Sequence, residues 1–145
     1  TMLDPEGAYL IGDLVGEAIM ADTPDLVGGL EIGAVPLATA VAAIGHAKGR
    51  PLRAFFVRKQ AKGHGTRSLV EGLRRGETLA GKRIVVLEDV TTTGGSSLKA
   101  IEAIKAEGGH VVKVLTIVDR QEGAAAAFEA AGVPFAALVT AADLR

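Results

Sequence analysis

The sequence predicts an α/β fold in which a mostly parallel central sheet is flanked by helices. Short apolar runs rich in Val, Ile and Leu alternate with helical patterns along the chain. Hydrophobic residues make up 48% of the sequence but aromatic residues only 3%. The apolar content is therefore mainly Ala, Val, Leu and Ile, which suits a buried parallel sheet covered by Ala-rich helices better than a β-sandwich.

The elements follow from local patterns. A first helix begins at Asp4-Pro5-Glu6, where a capping carboxylate precedes a proline and an acidic first turn, and it is expected to run to about residue 20. Its predicted inward residues are Leu10, Leu14 and Ile19. Further strands are predicted at 25–32, 52–57, 83–90, 111–118 and 135–139, and further helices at 36–47, 95–107 and 122–131. Residues 69–72 alternate again and are a candidate far arm of a hairpin.

Length and composition limit the classes of function. The 145 residues are expected to form one domain spanning 1–145. A formal charge of -1 argues against a nucleic-acid partner, and no apolar run approaches the roughly 20 residues of a membrane span. The sequence contains no cysteine, which excludes disulfides and thiolate zinc sites and fits a cytoplasmic location.

The most informative segment is the predicted strand 83–90 and the loop that follows it. The strand ends in the acid pair Glu88-Asp89, and residues 91–96 (hereafter the phosphate loop) are all Thr, Gly or Ser before a helix begins. This order places backbone N–H groups and a helix N-terminus around an anion, beside carboxylates that could bind sugar hydroxyls, a metal ion or positive charge. A solvated strand end before a capped helix is the simpler interpretation, but six such residues in a row exceed what a plain turn needs. The segment predicts a site for a phosphorylated sugar.

Residues 58–67 (hereafter the lid loop) carry four cations and one histidine and have no amphipathic period. From charge alone, a solvated loop is the better interpretation. Because the loop lies between two strands of a chain that already has an anion site, it is also a candidate cationic lid that neutralises a polyphosphate and excludes water.

Two other patterns in the sequence partly match known chemical sites. Residues 76–82 have the spacing of a nucleotide-binding P-loop, but Arg83 stands where Ser or Thr is needed and a strand follows, so we predict a polar turn. The histidines at 46, 64 and 110 share no metal-ligand spacing, and no protein ligand to a metal is predicted.

The acid pair, the phosphate loop and the helix after an apolar strand resemble the phosphoribosyl pyrophosphate (PRPP) signature of type I phosphoribosyltransferases. The lid loop narrows the resemblance, since Arg58-Lys59-x-x-Lys62-x-His64-Gly65 is similar to the catalytic loop of the orotate phosphoribosyltransferase family. The segments 4–9, 33–36 and 119–122 match that family too, so the resemblance covers nearly the whole chain. It implies the transfer of a 5-phosphoribosyl group from PRPP to orotate, giving orotidine 5′-monophosphate and pyrophosphate in pyrimidine synthesis.

The resemblance also implies site residues, a cofactor and an assembly. Residues expected to bind PRPP are Arg58, Lys59, Lys62, His64, Glu88, Asp89, Val90, Thr91, Thr92, Thr93, Gly94, Gly95 and Ser96. Residues expected to act in catalysis are Lys59, Lys62, His64 and Asp89, and those expected to contact orotate are Thr92 and Arg120. Mg²⁺ is the expected cofactor, and a homodimer is expected in which the lid loop serves the neighbouring subunit.

The chain also departs from the family pattern. The family carries an N-terminal hood of roughly three dozen residues over the base, and nothing in this sequence corresponds to it. Some relatives have a lysine in the pyrophosphate turn, where this chain reads Glu31-Ile32-Gly33-Ala34-Val35. Two other functions therefore stay open: transfer to a different base, and a PRPP-sensing regulator that binds nucleic acid or a protein.

Overall fold

A five-stranded parallel sheet forms the centre of the computed structural model, which describes residues 2–61 and 68–144. The strands in chain order are β1 (Leu26–Gly28), β2 (Arg53–Ala54), β3 (Phe56–Val57), β4 (Val70–Glu71), β5 (Arg83–Thr91), β6 (His110–Asp119) and β7 (Phe135–Thr140). Across the central sheet their order is β2-β1-β5-β6-β7, and every neighbouring pair is parallel. The predicted fold class is confirmed.

Four helices cover the two faces of this sheet: α1 (Pro5–Ile19), α2 (Ala34–Ala47), α3 (Gly95–Ala106) and α4 (Ala124–Ala130). Successive residues of a strand point to opposite faces, so β5 contributes to two cores. Ile84 and Val86 pack with the side chains of α3 and α4, whereas Val85 and Leu87 pack with those of α1 and α2. A strand that is buried on both faces explains the continuous apolar run in the sequence. Within the described ranges, no helix is long and apolar enough to cross a membrane.

The prediction for the buried face of α1 was wrong at two of its three positions. Ile19 is buried, but Leu10 and Leu14 are about half exposed. The stripe that faces α2 contains Gly12 and Gly16, where a β-carbon would lie only 3.0 Å from Ala40 or 2.7 Å from the Arg50 side chain. Gly12 lets the backbones of α1 and α2 approach closely and Gly16 makes room for the Arg50 side chain, so this face packs inward and the leucines lie outward.

The predicted strand 52–57 was also wrong as a single strand. Residues 53–54 form β2 beside β1, whereas residues 56–57 form β3, which pairs antiparallel with β4 in a separate two-stranded sheet. The predicted hairpin with residues 69–72 is thereby confirmed. Two other elements have boundaries that differ from the predicted ones. β1 covers only 26–28 of the predicted 25–32, and α2 begins at Ala34, two residues before the expected start.

Candidate functional site

The strand order places a crevice at the carboxyl end of β1 and β5. β1 is bordered by β2 on one side and by β5 on the other, so the direction of winding reverses between β1 and β5. In open parallel sheets, ligands bind outside the carboxyl ends of the strands at such a reversal. The turn at residues 31–33 follows β1, the acid pair lies near the carboxyl end of β5, and the phosphate loop leads from the last residue of β5 into α3. The topology therefore brings the segments that follow β1 and β5 to the same edge of the sheet.

The phosphate loop encloses a small cavity of about 180 Å³ in front of α3. The cavity is lined by Glu88, Val90, Thr91, Thr92, Thr93, Gly94, Gly95 and Ser96. α3 has no side-chain cap, so N–H groups of its first turn are available to an anion. Gly94, the residue before the helix, has φ +92°, and a β-carbon there would lie 3.1 Å from the Phe128 ring. Only glycine meets both demands, which explains its presence at this point of the loop.

Thr91 has one polar group that can bind a ligand and one that joins two loops. The Thr91 hydroxyl is buried and has no hydrogen-bond partner in the described part of the chain, so it is available to a ligand. The Thr91 carbonyl accepts a hydrogen bond from the Arg120 backbone N–H at 2.9 Å. This bond joins the loop after β6 to the phosphate loop, and it brings the two residues expected to contact orotate, Thr92 and Arg120, into neighbouring segments. The Arg120 guanidinium is exposed, with its Nε 3.2 Å from Oε2 of Glu122.

The acid pair divides between two environments. Glu88 is buried, lines the phosphate-loop cavity and accepts a hydrogen bond from the Ser97 hydroxyl at 3.1 Å. Asp89 lines a separate, largely apolar cavity of about 450 Å³, and its Oδ1 accepts a hydrogen bond from the Val90 N–H at 2.8 Å. A β-carbon built on Gly33 would lie 2.9 Å from Asp89 Oδ1, so the Asp89 carboxylate lies against the 31–33 turn. The two carboxylates thus face opposite ways, as neighbouring side chains of an extended strand do.

Burial raises the pKa of Glu88 to about 7, with a further increase from neighbouring Asp89, while the hydrogen bond from Ser97 acts in the opposite direction. Burial has this effect because it penalises the charged form of a carboxyl group. The ionisation of Glu88 therefore falls near neutral pH, where a small change of environment alters its charge. Perturbed carboxyl groups of this kind are typical of functional sites.

Only the first four residues of the lid loop, 58–61, are among the described residues. Arg58 and Lys59 line a cavity of about 320 Å³ between the β3–β4 hairpin and α3, apart from the phosphate-loop cavity. The Arg58 N–H donates to the Leu69 carbonyl at 2.7 Å, which closes the base of the loop. Lys62 and His64 lie outside the described residues, so their part in the site stays a prediction.

Sequence reasoning missed two side chains in this region. Ser97 follows the phosphate loop by one residue and binds Glu88 rather than facing the cavity. Glu31 was noted only as a departure from a family pattern, yet its Oε1 accepts a hydrogen bond from the Lys59 backbone N–H at 2.7 Å. Neither contact follows from local sequence, because each joins segments that meet only in the fold. Among the described residues, no group of three or more His, Cys, Asp or Glu could hold a metal ion.

Comparison with known proteins shows that the chain is similar to phosphoribosyltransferases. The model of the phosphoribosyl transferase domain matches residues 2–130. An orotate phosphoribosyltransferase of Bradyrhizobium diazoefficiens is 58% identical over 143 residues, which are 99% of this chain and 76% of that protein. The chain thus spans about three quarters of the length of this relative.

Solved structures agree with the sequence relatives. The orotate phosphoribosyltransferase of Mycobacterium tuberculosis in complex with Fe(III) dicitrate matches with a TM-score of 0.86 and 45% identity, covering 99% of this chain and 78% of that one. The same enzyme in complex with PRPP matches with a TM-score of 0.85 and 42% identity, covering 99% and 79%.

Proposed function

Since this chain belongs to the orotate phosphoribosyltransferases, within the phosphoribosyltransferase family, we propose that it transfers the 5-phosphoribosyl group of PRPP to orotate, giving orotidine 5′-monophosphate and pyrophosphate. The reaction is a step of pyrimidine nucleotide synthesis, and residues 1–145 act in it as one phosphoribosyltransferase domain. The proposal rests on the position of the phosphate loop and its acid pair, which lie where the direction of winding of the sheet reverses between β1 and β5.

The phosphate loop and the first turn of α3 bind the 5′-phosphate. Free N–H groups at the helix start and the threonine and serine hydroxyls supply donors, and the buried Thr91 hydroxyl can gain the partner that it lacks within the described chain. Glu88 and Asp89 then lie beside the ribose. Their negative charge stabilises the positive charge that develops on the ring as the bond to pyrophosphate breaks.

The cations of the lid loop act on the leaving group. Arg58, Lys59, Lys62 and His64 bind pyrophosphate more strongly as its negative charge increases, so they lower the barrier rather than only binding substrate. A closed loop also excludes water, which would otherwise hydrolyse the activated ribose. Arg120 presents a planar guanidinium that can pair with the carboxylate of orotate once the guanidinium has separated from Glu122.

Mg²⁺ is the proposed cofactor, and it would neutralise charge on the pyrophosphate oxygens. Of the described acid pair, Glu88 lines the phosphate-loop cavity and Asp89 lies against the 31–33 turn, so each carboxylate would be able to accept hydrogen bonds from the waters of such an ion. Mg²⁺ often keeps several waters and binds through substrate oxygens. We assign it no direct protein ligand.

The first test is consumption of orotate, followed by its ultraviolet absorbance, with PRPP and Mg²⁺ supplied together and separately. We expect loss of orotate only when both are present. Replacing orotate by a purine base or by uracil should give no nucleotide. Turnover of another base in place of orotate would contradict the proposed substrate. Salt-dependent binding of nucleic acid without any turnover would favour a PRPP-sensing regulator instead.

A second prediction concerns the lid loop. Replacing Lys62 by Ala should lower kcat by about a hundredfold or more and change the KM for PRPP much less, because the lysine acts mainly on charge that develops in the transition state. Steady-state kinetics at saturating orotate would measure both constants. Lys105→Ala, on the exposed side of α3, is the matched control and should behave as the unmodified protein. Near-normal turnover in Lys62→Ala would remove this lysine from the mechanism.

We also propose that the protein is a cytoplasmic homodimer in which the lid loop completes the site of its neighbour. The Lys62→Ala variant can test this arrangement when it is mixed with an Asp89→Asn variant. If the loop acts across the interface, each mixed dimer regains one intact site, and equal amounts should recover about a quarter of the unmodified activity. No recovery after exchange of subunits would place the lid loop in its own subunit.

A further inference from the structure

The segment that leads into the lid loop runs beside the 31–33 turn as a short parallel ladder. The Val57 N–H donates to the Gly29 carbonyl at 2.8 Å, and the Glu31 N–H donates to the Val57 carbonyl at 2.8 Å. Leu30 is bridged to Val57 between these two bonds. In a parallel ladder the next donor is the residue two positions further along, which is Lys59.

At Lys59 a side chain continues the ladder. The Lys59 N–H donates to Oε1 of Glu31 at 2.7 Å, so the carboxylate takes the place that a backbone carbonyl has in the preceding bonds. The bond is short and its acceptor carries a charge, which makes it about twice as strong as a bond between neutral groups. It fixes the backbone of Lys59 at the point where the chain leaves the regular pairing.

The presence of a carboxylate here needs a reason, because the turn lies at the edge that binds an anionic substrate. A negative charge at residue 31 would repel pyrophosphate if it faced the site freely. Its Oε1 is instead engaged by the Lys59 N–H, and the side chain is only partly exposed. Glu31 thus joins the turn after β1 to the first cations of the lid loop.

The chain that follows the lid loop, from Ser68 onward, is held in a related way. The Ser68 hydroxyl donates to Oε2 of Glu107 at 2.8 Å, and the Val70 N–H donates to the Ser68 hydroxyl at 3.1 Å. Together with the bond from Arg58 to Leu69, these contacts fix the chain on both sides of residues 60–67. Glu31 is distinctive among them because it ties the loop to the turn at the substrate edge.

We propose that Glu31 is a positioning residue that sets the backbone of Lys59, and through it the side chains of Arg58 and Lys59, for their action on the pyrophosphate group. The inference rests on the proposed transfer reaction for its kinetic consequence, whereas the contact itself is independent of that reaction. Gln at this position keeps an oxygen acceptor without the charge, and Ala removes the acceptor.

The test compares Glu31→Ala and Glu31→Gln, with Glu17→Ala on the exposed side of α1 as the matched control. We expect Glu31→Ala to lower kcat about tenfold, because it removes one hydrogen bond to a charged group. The KM for orotate should change little. Glu31→Gln keeps a neutral acceptor of about half the strength, so its kcat should fall only about threefold, and the control should show no loss. Normal kcat in Glu31→Ala, or equal losses in the Ala and Gln variants, would overturn the proposal.

A second measurement tests the hydrogen bond between Lys59 and Glu31 without relying on turnover. Hydrogen exchange followed by mass spectrometry on the peptide that contains Lys59 should show its amide exchanging about tenfold faster in Glu31→Ala than in Glu31→Gln. Equal exchange in the two variants would overturn the positioning role. If the unmodified protein consumed no orotate but this difference persisted, the proposed reaction would fail while the role of Glu31 in holding Lys59 would stand.

Discussion

Replacing Glu88 by Gln is expected to increase the free energy of unfolding at pH 8 by up to about 3 kcal/mol. The ordinary carboxyl pKa is 4.5, and burial raises that of Glu88 to about 7 in the fold. The folded state therefore holds this proton more tightly than the unfolded state. The protonated Glu88 carboxyl therefore contributes its full stabilisation of the folded state below about pH 4.5, and this stabilisation is lost as pH rises through about 7. Glutamine cannot ionise and does not incur this loss.

Denaturant unfolding at several pH values would measure the effect. At pH 5 the advantage of Glu88→Gln should shrink to about 1 kcal/mol, since only part of the ionisation has then occurred in the unfolded chain. Glu129→Gln, at an exposed position of α4, is the matched control and should show no comparable pH dependence. Equal unfolding curves for Glu88→Gln and the unmodified protein at pH 8 would contradict the effect of burial on Glu88.

The same substitution should lower kcat/KM for PRPP by about tenfold or more, because it removes the negative charge that we propose to lie beside the ribose. Higher stability and lower activity in one variant would identify Glu88 as a group kept for function at a cost to the fold. A variant that gained stability and kept full activity would assign the acid pair's contribution to Asp89 alone.

Replacing Gly29 by Ala is expected to lower the free energy of unfolding by about 3 kcal/mol, which for a chain of this size corresponds to a fall in Tm of about 10 °C. A β-carbon at this position would overlap the carbonyl oxygen of Leu87 and lie 2.7 Å from the β-carbon of Ala34. The obstacle includes backbone of β5, which cannot move without disturbing the central sheet. Thermal unfolding followed by circular dichroism would measure the change.

Gly95→Ala is the matched control for this substitution. Its φ lies outside the left-handed region, and the nearest atom to an added β-carbon is the Thr93 hydroxyl oxygen at 3.8 Å, an ordinary contact distance. We expect no loss of stability there, and a small gain is consistent with the lower entropy of the unfolded chain. Equal effects of the two substitutions would show that the close approach of Gly29 to β5 does not limit the packing of the sheet.

Local patterns in the sequence determined the fold class and the position of the phosphate loop. The apolar run of β5, the proline start of α1 and the Thr/Gly/Ser loop before α3 each depend on residues within one element, so they could be predicted without the fold. The resemblance of these motifs to one family then indicated the function. Most strand and helix positions were correct within a few residues for the same reason.

Only the tertiary structure decided how these elements meet. The split of residues 52–57 between two sheets depends on which strand each half pairs with. The outward face of Leu10 and Leu14 depends on two glycines of α1, one packed against α2 and the other against the Arg50 side chain. The pKa of Glu88 reflects burial, and the hydrogen bond from Lys59 to Glu31 joins residues 28 positions apart. Burial and long-range contacts arise from distant segments, so no local pattern contains them.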